Sequence, residues 1–540
     1  MLTKMDLFSC WHSRTKRYRG PKKREPLYKH EEEQVYPIHC LDQPITAKQS
    51  LRTWVMCFND VLIAPKLHEA LCRLLEIGDW KKLGTRLRVR DDGLLEAYAP
   101  KIYSHENPAC TFFFDKHYES RIGSHPVGKY YSIPSHRAFT QIYPADYQPD
   151  LIHPESPTTV QEIIDRNVPQ LILHILAFSD ATIVTITTPE NMMDYASFKS
   201  LLENWSLVLA GRQEEVALVY GPHNDILEEL VHKAEEKNAI ERIENLRASE
   251  RFSRFSILPN RWRRRIDPVL QRRIVHVPKA VYEELLSQIR RDITRILENE
   301  EQRPIVNDAE ILFAWMSQLQ GGDATRKTRA VTMRNMFNFR HRLSSLRDPS
   351  GEYLQTLTFP LQSTLSAESA KKSIGHIALQ HKRDMDRQTS ENQLRSLVKS
   401  YLQSKKGGRD PFQKMANAGG VSLDYCNMTS LHLLSAADFR PAVLQLVGGG
   451  GLDQEKGRNS TRYNAPGTMT TAYVLESGMR RPKDAVCQAI GKDSEGSFWM
   501  YCQLEHSVWE RLEEELYRLQ KVLSSPVLRD SLRFENSKMQ

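Results

Sequence analysis

The sequence predicts an α/β protein built from two domains. Three observations lead there. At 540 residues the chain exceeds what one small core can fill, and length alone suggests two to four domains. Stretches with a period of two alternate with stretches of helical period in both halves, the pattern of mixed α/β layers. A charged segment over residues 228–270 separates the two series and reads as a crossover.

The elements follow in order. Residues 1–50 are rich in Lys, Arg, Glu and His and are expected to be poorly ordered. Residues 51–227 form the first domain. It opens with an apolar run, LRTWVMCFNDVLIAPKLHEALCRLLEIGDW, that reads as helical and ends near Gly78. VPQLILHILAF and ATIVTITT flank the short turn Ser179-Asp180 and predict an antiparallel hairpin. A second turn carries Glu190 and, four residues on, Asp194. Phe198, Leu201, Leu202, Trp205 and Leu209 then recur at helical spacing, and Gly211 stops the helix. Within the crossover, HKAEEKNAIERIENLRASERF reads as an exposed helix.

Residues 271–540 form the second domain. RRIVHV is a strand, and Pro278 introduces a helix. VNDAEILFAWMSQLQGG is a helix bounded by Asn307 and Gly321, with Glu310 at a capping-box position. RAVTMRNMFNFR alternates Val331, Met333, Asn335, Phe337 and Phe339 as a strand does. Residues 344–375 and 448–466 read as loops. Trp509, Leu512, Leu516, Leu519 and Leu523 form one apolar stripe on a final helix.

Several function classes drop out. No run of 18 apolar residues exists, so no membrane span is expected. The start of the chain lacks the apolar core of a signal peptide, and a cytoplasmic location is expected. The eight cysteines form no CxxC and no Cys/His pair at zinc spacing, which predicts reduced structural thiols and no metal. The net charge of +8 is concentrated near the start and over residues 254–273. Neither run comes with a nucleic-acid-binding module, so both read as solvated tail and linker rather than as nucleic-acid sites. The second run could instead attract a polyanionic small ligand such as the phosphates of coenzyme A. GGGGLDQEKG lacks the Gly-Lys-Ser/Thr of a phosphate loop, and no GxSxG elbow anchors a hydrolase triad. His174, inside an apolar strand, reads as a core or channel-lining histidine rather than a ligand.

Taken together, several stretches resemble the fungal branch of the BAHD-type, coenzyme A-dependent acyltransferases, to which trichothecene 3-O-acetyltransferases are related. PQLILHILAFSDATIVTITTPENMMD looks like the strand pair leading into that family's HxxxD motif. LLENWSLVLAGRQEEV is similar to the helix after it, and NDAEILFAWMSQL to the helix that usually reads Gly-Asp-x-Leu-x-Ala-Trp. ADFRPAV stands where the family has a DFG-type motif, and GKDSEGSFWMYCQL followed by Trp509 resembles the C-terminal end. The likeness runs from about residue 95 to 515. It implies two similar domains with mixed sheets and flanking helices, an active channel at their interface, acyl-CoA (acetyl-CoA first) as co-substrate, no metal, and a monomer. The implied acceptor is a hydroxyl of a small natural product in fungal specialised metabolism. In the family the motif histidine takes the proton of the acceptor hydroxyl, and the oxygen attacks the thioester. The resemblance assigns structural roles to Asp194 and to Asp438, Phe439 and Arg440. His174, Glu310, Asn427 and Thr429 are its candidate channel-lining residues.

Three family positions differ. Glu190 stands for the motif histidine, Arg440 for the DFG-type glycine, and Ala309-Glu310 for Gly-Asp. A free glutamate, with a pKa of about 4.3 against about 6.5 for histidine, is the weaker base at neutral pH. Burial would make it stronger. It becomes neutral on taking the proton and so offers no cation to a developing oxyanion. As a protonated acid it could instead drive an isomerisation or cyclisation without coenzyme A. As a helix-start residue it would mark a non-catalytic binding relative. Arg440 is expected to form an ordinary surface ion pair, the alternatives being a carboxylate across the domain junction or an anionic ligand.

Overall fold

The computed structural model describes residues 33–43, 50–131, 134–142, 151–190, 192–236, 269–297, 304–321, 331–343, 346, 351–366, 368–406, 421–446, 464–477 and 485–524. Two large mixed sheets organise them. The first has five strands in the order Thr471–Ser477, Leu51–Phe58, Thr182–Pro189, Ile172–Phe178, Thr111–His117. The second has seven, in the order Thr358–Leu365, Val331–Asn338, Val421–Asn427, Ala485–Lys492, Phe498–Glu505, Leu270–Val277, Phe139–Ile142. Each sheet therefore takes one edge strand from the other half of the chain.

The predicted hairpin is the centre of the first sheet. Ile172–Phe178 and Thr182–Pro189 pair antiparallel, Ile172 opposite Thr187. Every residue of both strands is buried. Helices Ala64–Leu74 and Tyr195–Leu209 share this core. Gly211, at φ +77, supplies the left-handed residue after the second helix. The second sheet packs against helices Lys279–Ile296, Asp308–Gly321, Ile374–Gln388 and His506–Ser524. Trp509, Leu512, Leu516 and Leu519 are buried there along the predicted stripe, and Leu523 packs at its edge.

The structure corrects three expectations. Residues 51–62 are strands, Leu51–Phe58 and Asp60–Leu62, and the helix begins only at Ala64. Leu51–Phe58 lies between two other strands and is buried along almost its whole length, so its apolar positions run on without alternation. Residues 344–375 hold the strand Thr358–Leu365. Its Pro360 is accommodated because the strand is a sheet edge. Within residues 1–50, Gln34–Pro37 is a strand pairing with Leu95–Ala99, and Tyr36 is fully buried. The crossover starts as a helix, Ile226–Glu236. Residues 1–32, the crossover over 237–268 and GGGGLDQEKG lie outside the described residues.

His381 is buried on the helix Ile374–Gln388 with its ring stacked on Phe313, centroids 3.4 Å apart. Burial, with help from Lys382, pulls its pKa down to about 3. The unfolded chain binds a proton at His381 near pH 6.5 and the folded chain does not. Its contribution is present above that pH and is lost as pH falls below it, by about 1.4 kcal/mol per unit. Urea midpoints are expected to fall between pH 7.5 and 5.5, and His381→Phe to flatten that fall. An unchanged slope in the variant would remove His381 as its source.

Candidate functional site

Glu190 lies immediately after the strand Thr182–Pro189. Its backbone N–H donates to Ser50 O at 3.1 Å, one step beyond the ladder between Leu51 and Pro189. Ser50 Oγ donates to one carboxylate oxygen at 2.5 Å. Arg52 Nη2 donates to the other at 3.3 Å. The Arg52 guanidinium lies over the rings of Trp54 and Tyr195 at 5.7 and 5.9 Å. The Glu190 side chain keeps about a quarter of its surface exposed, at 23%. A donor on each oxygen and one open side is an arrangement for a carboxylate anion that can still meet a ligand.

Asp194 caps the helix Tyr195–Leu209, accepting from Ser197 N at 3.1 Å. It also accepts two bonds from Arg340, at 2.8 and 2.9 Å, and bonds from Leu357 N and Thr358 Oγ1. Burial alone would raise the Asp194 carboxyl. The Arg340 guanidinium and the N–H donors outweigh it and hold the group below the usual carboxylate range. Arg340 donates further to Tyr353 O and Gln355 O. One buried ion pair thus ties the helix start to residues 353–358, more than 140 positions away in sequence.

That tie shapes a pocket. A cavity of about 40 Å³, opening toward solvent, lies next to the turn that carries Glu190, although Glu190 itself does not line it. Pro189 and Met192 line it on that side, and Leu87, Leu95 and Ala97 of the small sheet wall it on another. Asp42, Lys82, Gln170 and Gln355 are its polar residues. Gln355 is buried, yet neither its amide nitrogen nor its amide oxygen has a hydrogen-bond partner. Burial pushes the Asp42 carboxyl up and the Lys82 ammonium down, and their attraction offsets part of both shifts. The pocket is mostly apolar with a few convergent polar groups, the usual character of a small-molecule site.

The chain is 26% identical over 504 residues to the O-acetyltransferase PaAT-2 of Phomopsis amygdali, covering 90% of this chain and 98% of that protein. It is 27% identical over 514 residues to the acetyltransferase BOT5 of Botryotinia fuckeliana, covering 90% of each. A crystal structure of F. sporotrichioides TRI101 complexed with coenzyme A and T-2 superposes with a TM-score of 0.57 at 12% identity, covering 90% of this chain and 97% of that one. The chain is thus similar along most of its length to fungal acetyltransferases, and it shares the fold of a coenzyme A-dependent acetyltransferase. Its relatives include the transcriptional regulator calD of Penicillium decumbens, 26% identical over 496 residues, covering 90% of this chain and 96% of that protein. No family model matches the sequence.

Within this acyltransferase relative the other singled-out residues take separate places. Phe439 is fully buried and packs on Phe58 and Trp205, ring centroids 5.3 and 4.6 Å away. Arg440 is exposed and pairs with its neighbour Asp438 at 3.2 Å, so it does not reach across the sheets in this structure. Its φ is not positive, and its place in Arg440–Ala442 needs no glycine. The glycine that matters is Gly467, at φ +71, where a Cβ would fall 2.2 Å from Arg440 N. Glu310 completes a capping box: it accepts from Asn307 N at 2.8 Å, and its own N–H donates to Asn307 Oδ1 at 3.3 Å.

His174 is buried mid-strand, 2.9 Å from Asp115 and 3.3 Å from Leu151 O. It faces Thr185, five positions before Glu190, and is not among the residues that line the pocket. Asn427 ends the strand Val421–Asn427 and accepts from both N–H and Oγ1 of Thr429. Neither residue lines that pocket. Burial raises the thiol of the preceding Cys426 to about 12, and the charges of Arg52 and Asp194 also act on it. The strand end therefore lies near the motif although Asn427 and Thr429 bond each other. Ser50, Arg52, Arg340, Asp42 and Gln355 were not singled out by the sequence, because none stands at a recognisable spacing from Glu190. The expectation of no Cys/His metal spacing needs correction: His68 and Cys72 are four apart on one helix, and Cys110 joins them.

Proposed function

We propose that this chain is an acyl-CoA-dependent O-acyltransferase, with acetyl-CoA the first candidate donor and a hydroxyl of a small natural product the acceptor. The observation that carries the reading is Glu190: a carboxylate at the end of a central strand, held by Ser50 and Arg52, beside an apolar pocket. In this reading Glu190 stands at the position of the family's motif histidine and accepts the hydroxyl proton as the oxygen attacks the thioester carbonyl. The carbon–sulfur bond breaks, the ester forms, and coenzyme A leaves as the thiol. Asp194 and Arg340 hold the turn and do not touch the reacting atoms. Monomeric state and cytoplasmic location belong to the same proposal. Among the described residues no helix is long and apolar enough to cross a membrane.

The test is mass spectrometry of a host metabolite extract incubated with the purified protein, with and without acetyl-CoA. A product heavier by one acetyl group, absent without the thioester, is expected. A product of unchanged mass that needs no thioester would replace the reading with acid-catalysed rearrangement. A second reading, a non-catalytic binding relative, is favoured by kinship with proteins named transcriptional regulators. It predicts no product in either arm. Gln355→Leu is expected to raise KM for the acceptor at least tenfold while KM for acetyl-CoA stays put, because an unpaired buried amide is worth about 1–3 kcal/mol to a ligand that satisfies it. Equal effects on both substrates would take the acceptor out of this pocket.

A further inference from the structure

The helix Ala64–Leu74 carries His68 and Cys72 one turn apart on a single face. Cys110, directly before the strand Thr111–His117, comes up to that face. Cys72 Sγ lies 3.8 Å from Cys110 Sγ and 3.3 Å from His68 Nε2. One donor atom from each residue lies within 4.8 Å of the others. Tetrahedral zinc, with Zn–S of about 2.3 Å and Zn–N of about 2.0–2.1 Å, sets sulfur–sulfur edges of about 3.8 Å and sulfur–nitrogen edges of about 3.5 Å. The two edges that meet at Cys72 already match that tetrahedron, and the third donor pair lies within 4.8 Å.

The surroundings suit a cation. Cys110 is buried, while His68 and Cys72 are half-buried, so an ion has an approach from solvent. Phe112 stacks on the His68 imidazole, centroids 4.2 Å apart and planes 5° from parallel, which fixes the ring. The negative charge of Glu76 also acts on Cys72. A contrasting thiol pair, Cys487 and Cys502 at 3.5 Å, is fully buried. Among the described residues no other group of three His, Cys, Asp or Glu side chains brings its donors together in this way.

We propose that His68, Cys72 and Cys110 bind one zinc-class divalent ion, with the fourth position open to water. Two thiols release their protons on binding, the imidazole contributes a neutral lone pair, and the dication is balanced by two thiolates. Two sulfurs and one imidazole select zinc over magnesium or calcium. The ion would tie the first helix to a strand whose ligand lies 38 residues further along the chain. It has no assigned part in acyl transfer, so its test is independent of the enzyme's activity.

The full chain, kept reduced, is titrated with cobalt(II) and then with zinc(II). One equivalent of cobalt is expected to produce sulfur-to-cobalt charge-transfer absorption and tetrahedral visible bands, both erased by zinc. The thermal midpoint is expected to rise with zinc. His68→Ala and Cys72→Ser, at half-buried positions, are each expected to weaken cobalt binding at least tenfold. His68→Cys, which keeps a donor, is expected to restore the charge-transfer band with greater intensity. No band in a protein whose thiols titrate as free would overturn the site. A band that survives both His68→Ala and Cys72→Ser would place the metal elsewhere and overturn it equally.

Discussion

Glu190→Gln is expected to lower kcat for acyl transfer by about 10²–10⁴-fold, the usual worth of a positioned general base. The amide keeps the size of the side chain and can still accept from Ser50, so the turn after the strand Thr182–Pro189 should stay in place. KM for acetyl-CoA should therefore change little, since the lost interaction belongs to the transition state. Glu190→His is the informative companion. It restores the residue that relatives of the resembled family use, but beside the Arg52 guanidinium, which disfavours the imidazolium that forms on proton transfer. Partial recovery is expected, with more on adding Arg52→Gln. Steady-state kinetics on the acetylated product reads all three. If Glu190→Gln retains full kcat, the carboxylate is only a holder of the turn.

Breaking the Asp194–Arg340 pair is expected to cost about 3–5 kcal/mol of stability, the range for removing one partner of a buried ion pair. Asp194→Ala leaves the Arg340 charge buried and strips a partner from Leu357 N and Thr358 Oγ1. Arg340→Lys keeps a charge but cannot reproduce the two parallel bonds or reach Tyr353 O and Gln355 O together. It should loosen residues 353–358, and with them the Gln355 wall of the pocket. Thermal unfolding is expected to show a large loss for Asp194→Ala. Acceptor KM should rise in Arg340→Lys at a temperature where that variant is folded. A wild-type midpoint in Asp194→Ala would show that the tie between the helix start and residues 353–358 contributes nothing to stability.

The sequence made some elements legible and hid others for identifiable reasons. The central hairpin was readable because Ser179-Asp180 punctuates two β-rich runs. The helix after Asp194 was readable from its apolar spacing and Gly211. Leu51–Phe58 was misread because a strand buried on both faces shows no alternation, and the Ala64–Leu74 helix follows almost at once. Thr358–Leu365 was missed because edge strands tolerate polar residues and proline. The site was half legible. Glu190 and Asp194 stand out beside a strand end, whereas their partners Ser50, Arg52 and Arg340 lie some 140 residues away. Such long-range partners follow from the topology and from no local pattern. The capping box of Glu310 was legible from its spacing to Asn307, whereas nothing in the sequence showed that Asn427 and Thr429 bond each other.

The strand Leu51–Phe58 meets its outer neighbour, Thr471–Ser477, only after some 410 further residues have been made. On a ribosome adding about 5–20 residues per second, the interval is on the order of tens of seconds. Through that interval the nascent first sheet presents an open backbone edge of strongly apolar sequence, which is a template for wrong pairing. Nascent chains cut short before Ser477 should therefore be hazardous intermediates rather than half-enzymes. Production of this protein should be limited by how well the cell shields that edge during synthesis, more than by the stability of the finished molecule.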